Sequence, residues 1–423
     1  MSDKLLIGCV ADDFTGASDA ASFLAKSGMR TMLFNGVPKT EQSYEMDAAV
    51  IALKTRTEET GKAVEDSLEA VKWFQKQDAC HIYSKYCSTF DSTPDGNIGP
   101  ILDAILDECK EKSSIICPAL PVNGRTVSQG KLYVNGVPLD ESPMKNHPLT
   151  PMWESDLGKL MEPQSKYPCI KVTEEIMKGS KEEIEQYIAK ESQGKEKFYL
   201  IPDYVKDEDA AKIAEVFGDM KVLSGGSGIL TELGKKYCGK AEGAAMPSSA
   251  TEGRGIVLAG SCSQATLEQI RVFQEAGHYS CKIDPVKLLD GTDTPERIWP
   301  CVLEESQGKE ILIYSSDTPE QVKKMQDIGK EKVANAIEKA ISDLAVLAEK
   351  DGFRRIIVAG GETSGAVTKK MGYDAYLIGE SIAPGVPVMI PAENPQIRLV
   401  LKSGNFGQPD FFLRALKMTA KEK

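Results

Sequence analysis

Short apolar runs, each closed off by polar or small residues, recur along the chain and alternate with segments whose apolar positions repeat at helical spacing. Leu5, Leu6, Ile7, Cys9 and Val10 form the first run and read as a buried strand. It stops at Asp12 and Asp13, after which Thr15, Gly16, Ala17, Ser18 and Asp19 open a helix carrying Ala20, Ala21, Phe23 and Leu24. Ala48 to Leu53 predicts a second strand, followed by Thr55, Arg56, Thr57 and a helix from Thr60 to Gln77. Ala79 to Tyr83 predicts a third, leading into KYCSTFDSTPDGNIG and a helix from Ile101 to Cys109. Ser114 to Cys117 predicts a fourth, followed by the loop PALPVNGRTVSQG. KLYVNGVPL reads as a hairpin turning on Asn135-Gly136, and Ser180 with Glu183 as a capping box. Phe198 to Ile201 and Lys221 to Leu223 complete this half as strands.

Met246 to Gly255 breaks the pattern with Pro, Ser, Thr and Gly and no apolar period, which marks a linker. Beyond it the alternation restarts, with strands at Ile256 to Ala259, Ile311 to Tyr314, Ile356 to Ala359 and Arg398 to Lys402. Helices are predicted from Thr266 to Ala276 and from Glu331 to Lys350. The regular alternation predicts an α/β protein of two domains, 1–245 and 256–423, each a mostly parallel sheet covered by helices. A length of 423 residues, more than one core usually supports, agrees with that division.

A net charge of −12 without any basic block argues against a nucleic-acid surface, which needs clustered Lys and Arg. The ten cysteines form no C-x-x-C pair and no zinc spacing, and several lie inside apolar strands as small hydrophobes. No run is long enough to span a membrane, and MSDKLLIG lacks a signal peptide's apolar region. The expectation is a soluble protein of the reducing cytoplasm.

The first candidate site follows from the first strand. Open α/β sheets place ligands where a strand ends and turns into a helix N-terminus. Asp12 and Asp13 there can hold a hydroxyl or a cation, and equally can cap the helix. The stretch from Lys85 to Gly99 is the densest in polar groups: Ser88, Thr89, Asp91, Asp95 and Asn97 can bond a polyhydroxylated substrate, and Lys85 a carboxylate. The same residues also suit an ordinary Asp-Ser-Thr-Pro turn. Arg125, in Asn123-Gly124-Arg125, can fork onto a carboxylate or phosphate, or pair with a surface acid. His81 reads as a satisfied strand residue, His147 as a loop residue within reach of a substrate, and His278 as a solvated cap.

In the second half, Gly360-Gly361-Glu362-Thr363-Ser364-Gly365 follows a strand and suits a phosphate-cradling turn, though it lacks the Lys-Ser/Thr of a Walker loop. Gly260-Ser261-Cys262-Ser263 and Ser403-Gly404-Asn405-Phe406-Gly407 also follow strands and supply small residues with donors. Three such loops at one sheet edge can converge on a polyanion, which favours a nucleotide over a purely structural reading.

ADDFTGASDA, CSTFDSTPDGNIG, PVNGRT, GGETSGAV and LKSGNFG together resemble the four-carbon acid sugar kinases, in that family's order and from about residue 5 to 410. The resemblance implies an N-terminal acid-sugar domain, a C-terminal nucleotide domain, a ligand cleft between them and ATP-dependent phosphorylation of the terminal hydroxyl of a tetronic acid. Pro94-Asp95 stands where many members carry Leu-Arg; with CSTF and HPLTPM this is most similar to the 3-oxo-tetronate kinase branch. That departure removes any arginine contact at this loop. Carried onto matching positions, the nucleotide residues would be Ser261 or Ser263, Gly361 to Ser364, and Gly404. The acid-sugar residues would be Asp12, Asp13, the Ser88 to Asn97 loop and Asn123 to Arg125.

On this reading Asp12 or Asp13 takes the C4 hydroxyl proton, Mg²⁺ accompanies the phosphates with ligands left unassigned, and Glu362 is a candidate for its coordination. A homodimer is the base-rate assembly for such an enzyme. The alternatives are a D-threonate or D-erythronate 4-kinase, a non-catalytic sugar-acid sensor, and a dehydrogenase. The missing G-x-G-x-x-G speaks against the last.

Overall fold

The computed structural model describes residues 4–39, 44–147, 150–239, 246–317 and 319–421, without the side chains of 319–328 and 330. Residues 240–245, the end of the expected first domain, and Pro148-Leu149 of the HPLTPM stretch lie outside them. The chain forms two compact units, Met1–Ala245 and Met246–Lys423.

The first unit is built on five strands. In chain order they are β1 (Ile7–Ala11), β2 (Thr31–Asn35), β3 (Ala48–Ala52) and β4 (His81–Lys85), with Val222–Gly225 joining later. β1 and β3 are buried along their whole length, as all-parallel strands covered on both faces must be. β3 and β4 flank β1, β2 lies beyond β3, and Val222–Gly225 beyond β4, all in parallel. After α1 (Phe14–Lys26) the chain passes to the far side of β3. After α2 (Thr60–Lys76) it crosses to the other side of β1. The strand order therefore reverses beside β1, which opens a crevice at the carboxyl ends of β1, β3 and β4. α3 (Ile98–Cys109) follows the polar loop after β4.

Two smaller sheets complete the unit. β5 (Ser113–Ile115) pairs not with the main sheet but with Phe198–Pro202, itself paired to Cys169–Val172. β6 (Arg125–Ser128), β7 (Lys131–Val134) and β8 (Val137–Pro138) form an antiparallel meander. Its hairpin turns at Asn135 (φ 52) and Gly136 (φ 78), the expected two-residue turn. The capping box at Ser180 and Glu183 is present.

The second unit carries five parallel strands in the order Tyr279–Lys282, Ile311–Tyr314, Arg254–Ala259, Phe353–Ala359, Arg398–Lys402. An antiparallel pair, Val386–Pro391 and Ala375–Ala383, extends the sheet at Arg398–Lys402. Val257, Leu312, Ile357 and Val400 pack with Phe273, Phe411 and Phe412 from helices Gln264–Glu275 and Phe411–Thr419. The helical stretch Pro319–Lys350 is broken at Gly329 (φ 133), and the part beyond the break is the helix expected from Glu331 to Lys350. Both units are α/β with mostly parallel sheets, as the alternation predicts.

Candidate active site

The crevice beside β1 gathers charge that the sequence had spread over eighty residues. Asp13 is the N-cap of α1: its Oδ1 accepts from the Gly16 N–H at 2.5 Å, which fixes the pair of acids at the strand end. Arg56, just past β3, binds both. Its Nε and Nη2 donate to the two oxygens of Asp12 at 2.8 and 3.0 Å, and Nη2 lies 2.8 Å from Asp13 Oδ2. Nη1 faces Asp91 at 4.0 Å. Asp91 in turn accepts from Thr89 Oγ1 at 2.6 Å, and Thr89 meets Cys87 Sγ at 2.9 Å. Lys85, at the end of β4 and 3 % exposed, donates to the Tyr86 carbonyl at 3.0 Å and lies 3.8 Å from Asp19 Oδ2. Ser227 donates to that same oxygen at 2.6 Å. Asp12, Arg56, Lys85, Asp91 and Asn97 line one cleft.

Burial sets the electrostatics. It pushes the Asp13 carboxyl above its ordinary range against the pull of Arg56. It raises Asp19 likewise, against Lys85 and Ser227. Burial also works against the charges of Arg56 and Lys85, but the surrounding carboxylates outweigh it and both cations are held more firmly than usual. The Cys87 thiol is pushed up to about 12 by burial and is no nucleophile at neutral pH. Such an arrangement can hold a hydroxy-acid by its carboxylate and leave an acid group beside its hydroxyls.

The other expected substrate residues fare unevenly. Asn97 belongs to the cleft wall, yet its side chain is occupied with scaffolding rather than open to a ligand. Its amide donates to the Thr55 and Glu58 carbonyls at 2.7 and 2.9 Å, and its oxygen accepts from Thr60 at 2.8 Å. Those bonds hold the segment that carries Arg56. Ser88 is half-buried on the loop. Asn123, Gly124 and Arg125 sit in the turn that enters β6, where Arg125 donates back to the Asn123 carbonyl, and they are not among the residues lining this cleft. His81 is satisfied as expected, bonded to the Met220 carbonyl at 2.9 Å and stacked on Tyr237. His147 accepts from Thr150, and His278 is no solvated cap but packs on Phe273. Arg56 is not among the candidates the sequence singles out; its only signal there is its place just beyond the second predicted strand.

In the second unit the three glycine loops do come together. A Cβ on Gly260 would fall 2.2 Å from Thr363 Oγ1, one on Gly360 (φ 131) 2.9 Å from the same atom, and one on Gly404 2.4 Å from Ser261 Oγ. Ser263 caps helix Gln264–Glu275 and donates to the Gly404 carbonyl at 2.6 Å. Helix Gly361–Met371 begins without any side-chain cap, and the hydroxyl of Ser364, buried in its first turn, has no partner. Glu362 and Asn405 are exposed at the rim. Uncapped N–H groups and an unpaired hydroxyl suit a phosphate. Among the described residues no group of three or more His, Cys, Asp or Glu could hold a metal ion, and no helix is long and apolar enough to cross a membrane.

The arrangement defines a two-domain α/β protein with an acidic crevice in one unit and a cluster of glycine loops with unpaired donors in the other. Family models agree: a sugar-binding N-terminal domain matches residues 7–233 and a nucleotide-binding C-terminal domain residues 256–412. A 3-oxo-tetronate kinase of Brucella melitensis is 41% identical, covering 98% of this chain and 96% of its own. One from Haemophilus influenzae is 39% identical, covering 96% and 98%. A crystal structure of a Haemophilus influenzae protein superposes with a TM-score of 0.83 at 38% identity, covering 97% of this chain and 99% of its own. One from Salmonella typhimurium superposes with a TM-score of 0.90 at 36% identity, covering 98% and 100%. The chain belongs to the four-carbon acid sugar kinase family, in the branch of the 3-oxo-tetronate kinases.

Proposed function

We propose that the chain uses ATP to phosphorylate the C4 hydroxyl of 3-oxo-tetronate, giving 3-oxo-tetronate 4-phosphate. The observation that carries the reading is the set of Asp12, Asp13, Arg56 and Lys85 gathered at adjacent strand ends, in the unit matched by the sugar-binding model.

Asp12 engages Arg56 with both oxygens and is the less exposed acid, 12% against 34% for Asp13, so it serves as the anchor. Asp13, raised by burial and more open, is the proton acceptor for the C4 hydroxyl. Arg56 Nη1 and Lys85 take the substrate carboxylate, with Ser88, Thr89 and Asp91 near its hydroxyls. Gly360, Gly361, Thr363, Ser364, Ser261, Ser263, Gly404 and Asn405 surround the nucleotide phosphates. Mg²⁺ would travel on those phosphates with its retained waters, since the described residues offer it no preformed cage. Catalysis then rests on alignment and charge neutralisation. The enzyme is assigned to the cytoplasm, with a homodimer as its default assembly.

Two measurements test this. ADP release should be fastest with 3-oxo-tetronate, and preferential turnover of D-threonate or D-erythronate would overturn the substrate. D13N should lower kcat by roughly a hundredfold or more while KM for ATP holds; near-normal turnover would remove Asp13 from the chemistry.

A further inference from the structure

Lys402 ends the strand Arg398–Lys402 and is 1% exposed, an unusual place for an ammonium group. Among the described residues it has no carboxylate partner. Its Nζ donates only to neutral oxygens, the Gly404 carbonyl at 2.8 Å and Thr266 Oγ1 at 3.0 Å, with the Phe411 ring 5.9 Å away. The Gly404 carbonyl also accepts from Ser263 Oγ at 2.6 Å and Thr266 Oγ1 at 3.0 Å, so three donors draw one peptide oxygen inward. In a trans peptide the following N–H points the opposite way. The Asn405 N–H is thereby turned outward, at the loop whose Gly404 lies against Ser261 and Ser263. The Lys402 backbone carbonyl meanwhile accepts from Gly360 N at 2.9 Å, which ties in the third loop.

We infer that Lys402 is a positioning residue for the nucleotide: its ammonium holds the Gly404 peptide so that the Asn405 N–H presents to a phosphate, and its uncompensated charge is completed only when that polyanion binds. This rests on the reading of these loops as the ATP site. A buried carboxylate would have neutralised Lys402 permanently; leaving it unpaired makes the anion the missing partner.

The charge has a pH signature. Burial alone brings Lys402 down to about 7 in the free protein. The ionisable groups near it on the surrounding helices and loops, Cys262, Glu268, Arg271, Glu362, Asp410 and Arg414 among them, make no ion pair with it; on the sheet, Arg355 pairs with Glu310 and Arg398 donates to backbone carbonyls. Glu268 is half-buried and paired with Arg271, and the other five of that first group are exposed. Bound phosphate favours the protonated ammonium, so nucleotide binding should weaken as pH rises through about 7 and should take up protons above it.

The test compares wild type, K402M and K402R, with calorimetry of a non-hydrolysable ATP analogue in buffers of different ionisation enthalpy. Wild type should take up protons near pH 8, and K402M should lose that uptake relative to wild type, which cancels the analogue's own ionisation. K402M should raise KM for ATP about tenfold or more, with KM for the acid within about twofold, and K402R should restore part of the affinity. If wild type binds the analogue but K402M shows the same proton uptake and the same KM for ATP, the role of Lys402 is refuted. If K402M does not fold, equal proton uptake by wild type and K402R at pH 8, where arginine stays charged, refutes it as well. If wild type binds no analogue, the assignment of the ATP site itself fails.

Discussion

Arg56 neutralises two acids at once, so replacing it with methionine perturbs the crevice in a way whose size and pH dependence can be worked out. Removing one partner of a fully buried ion pair costs about 3–5 kcal/mol, because the other charge stays behind. Here Arg56 is 25% exposed and Asp12 and Asp13 are 12% and 34%. Water therefore recovers part of that, leaving about 2–3 kcal/mol. At roughly 2–4 °C per kcal/mol for a unit of this size, R56M should lower the melting transition of Met1–Ala245 by about 4–12 °C at neutral pH. The sign of the pH dependence follows from Asp13, which burial raises even with Arg56 present. Its stabilising contribution is therefore full below the ordinary carboxylate range and is lost as pH rises through its folded value. Without Arg56 that value climbs further, so the deficit of R56M should be largest near pH 8 and shrink near pH 5. Calorimetric scans of both proteins at the two pH values read this directly. Equal melting temperatures at both, or a larger deficit in acid, would show that Arg56 does not hold the acids as described.

Other substitutions probe the frame around the two sites. N97A removes the bonds to the Thr55 and Glu58 carbonyls. It should cost about 2–3 kcal/mol in denaturant melts and raise KM for the acid while leaving KM for ATP alone; a stable variant with normal kinetics would contradict the scaffolding role. G404A places a methyl 2.4 Å from Ser261 Oγ and 3.1 Å from Ser263 Oγ. It should raise KM for ATP by about tenfold, equivalent to 1.4 kcal/mol of binding, with the acid unaffected; an unchanged KM for ATP would separate these loops from the nucleotide.

The contrast between Asp13 and Arg56 shows what a linear sequence can carry. Asp13 announces itself locally, since an apolar run, an acid and a string of small residues are enough to predict a strand end and a helix cap. The glycine loops are legible for the same reason, each following its own strand. Arg56 is not, because its meaning depends on β3 lying next to β1, and strand adjacency is set by non-local pairing that no window of sequence contains. Asn97 shows the opposite limit: its residue type and neighbours suit a ligand contact, while Thr55, Glu58 and Thr60, some forty residues away, take both amide hydrogens and one lone pair of its oxygen. Strand Tyr279–Lys282, only half-buried at the sheet edge, lacks the apolar run that marked the central strands. Lys402 combines both cases, for it ends a predicted strand, yet its burial comes only from the fold. Candidate ligand contacts are thus partly visible from their own surroundings, whereas residues that position them become visible only through contacts distant in sequence.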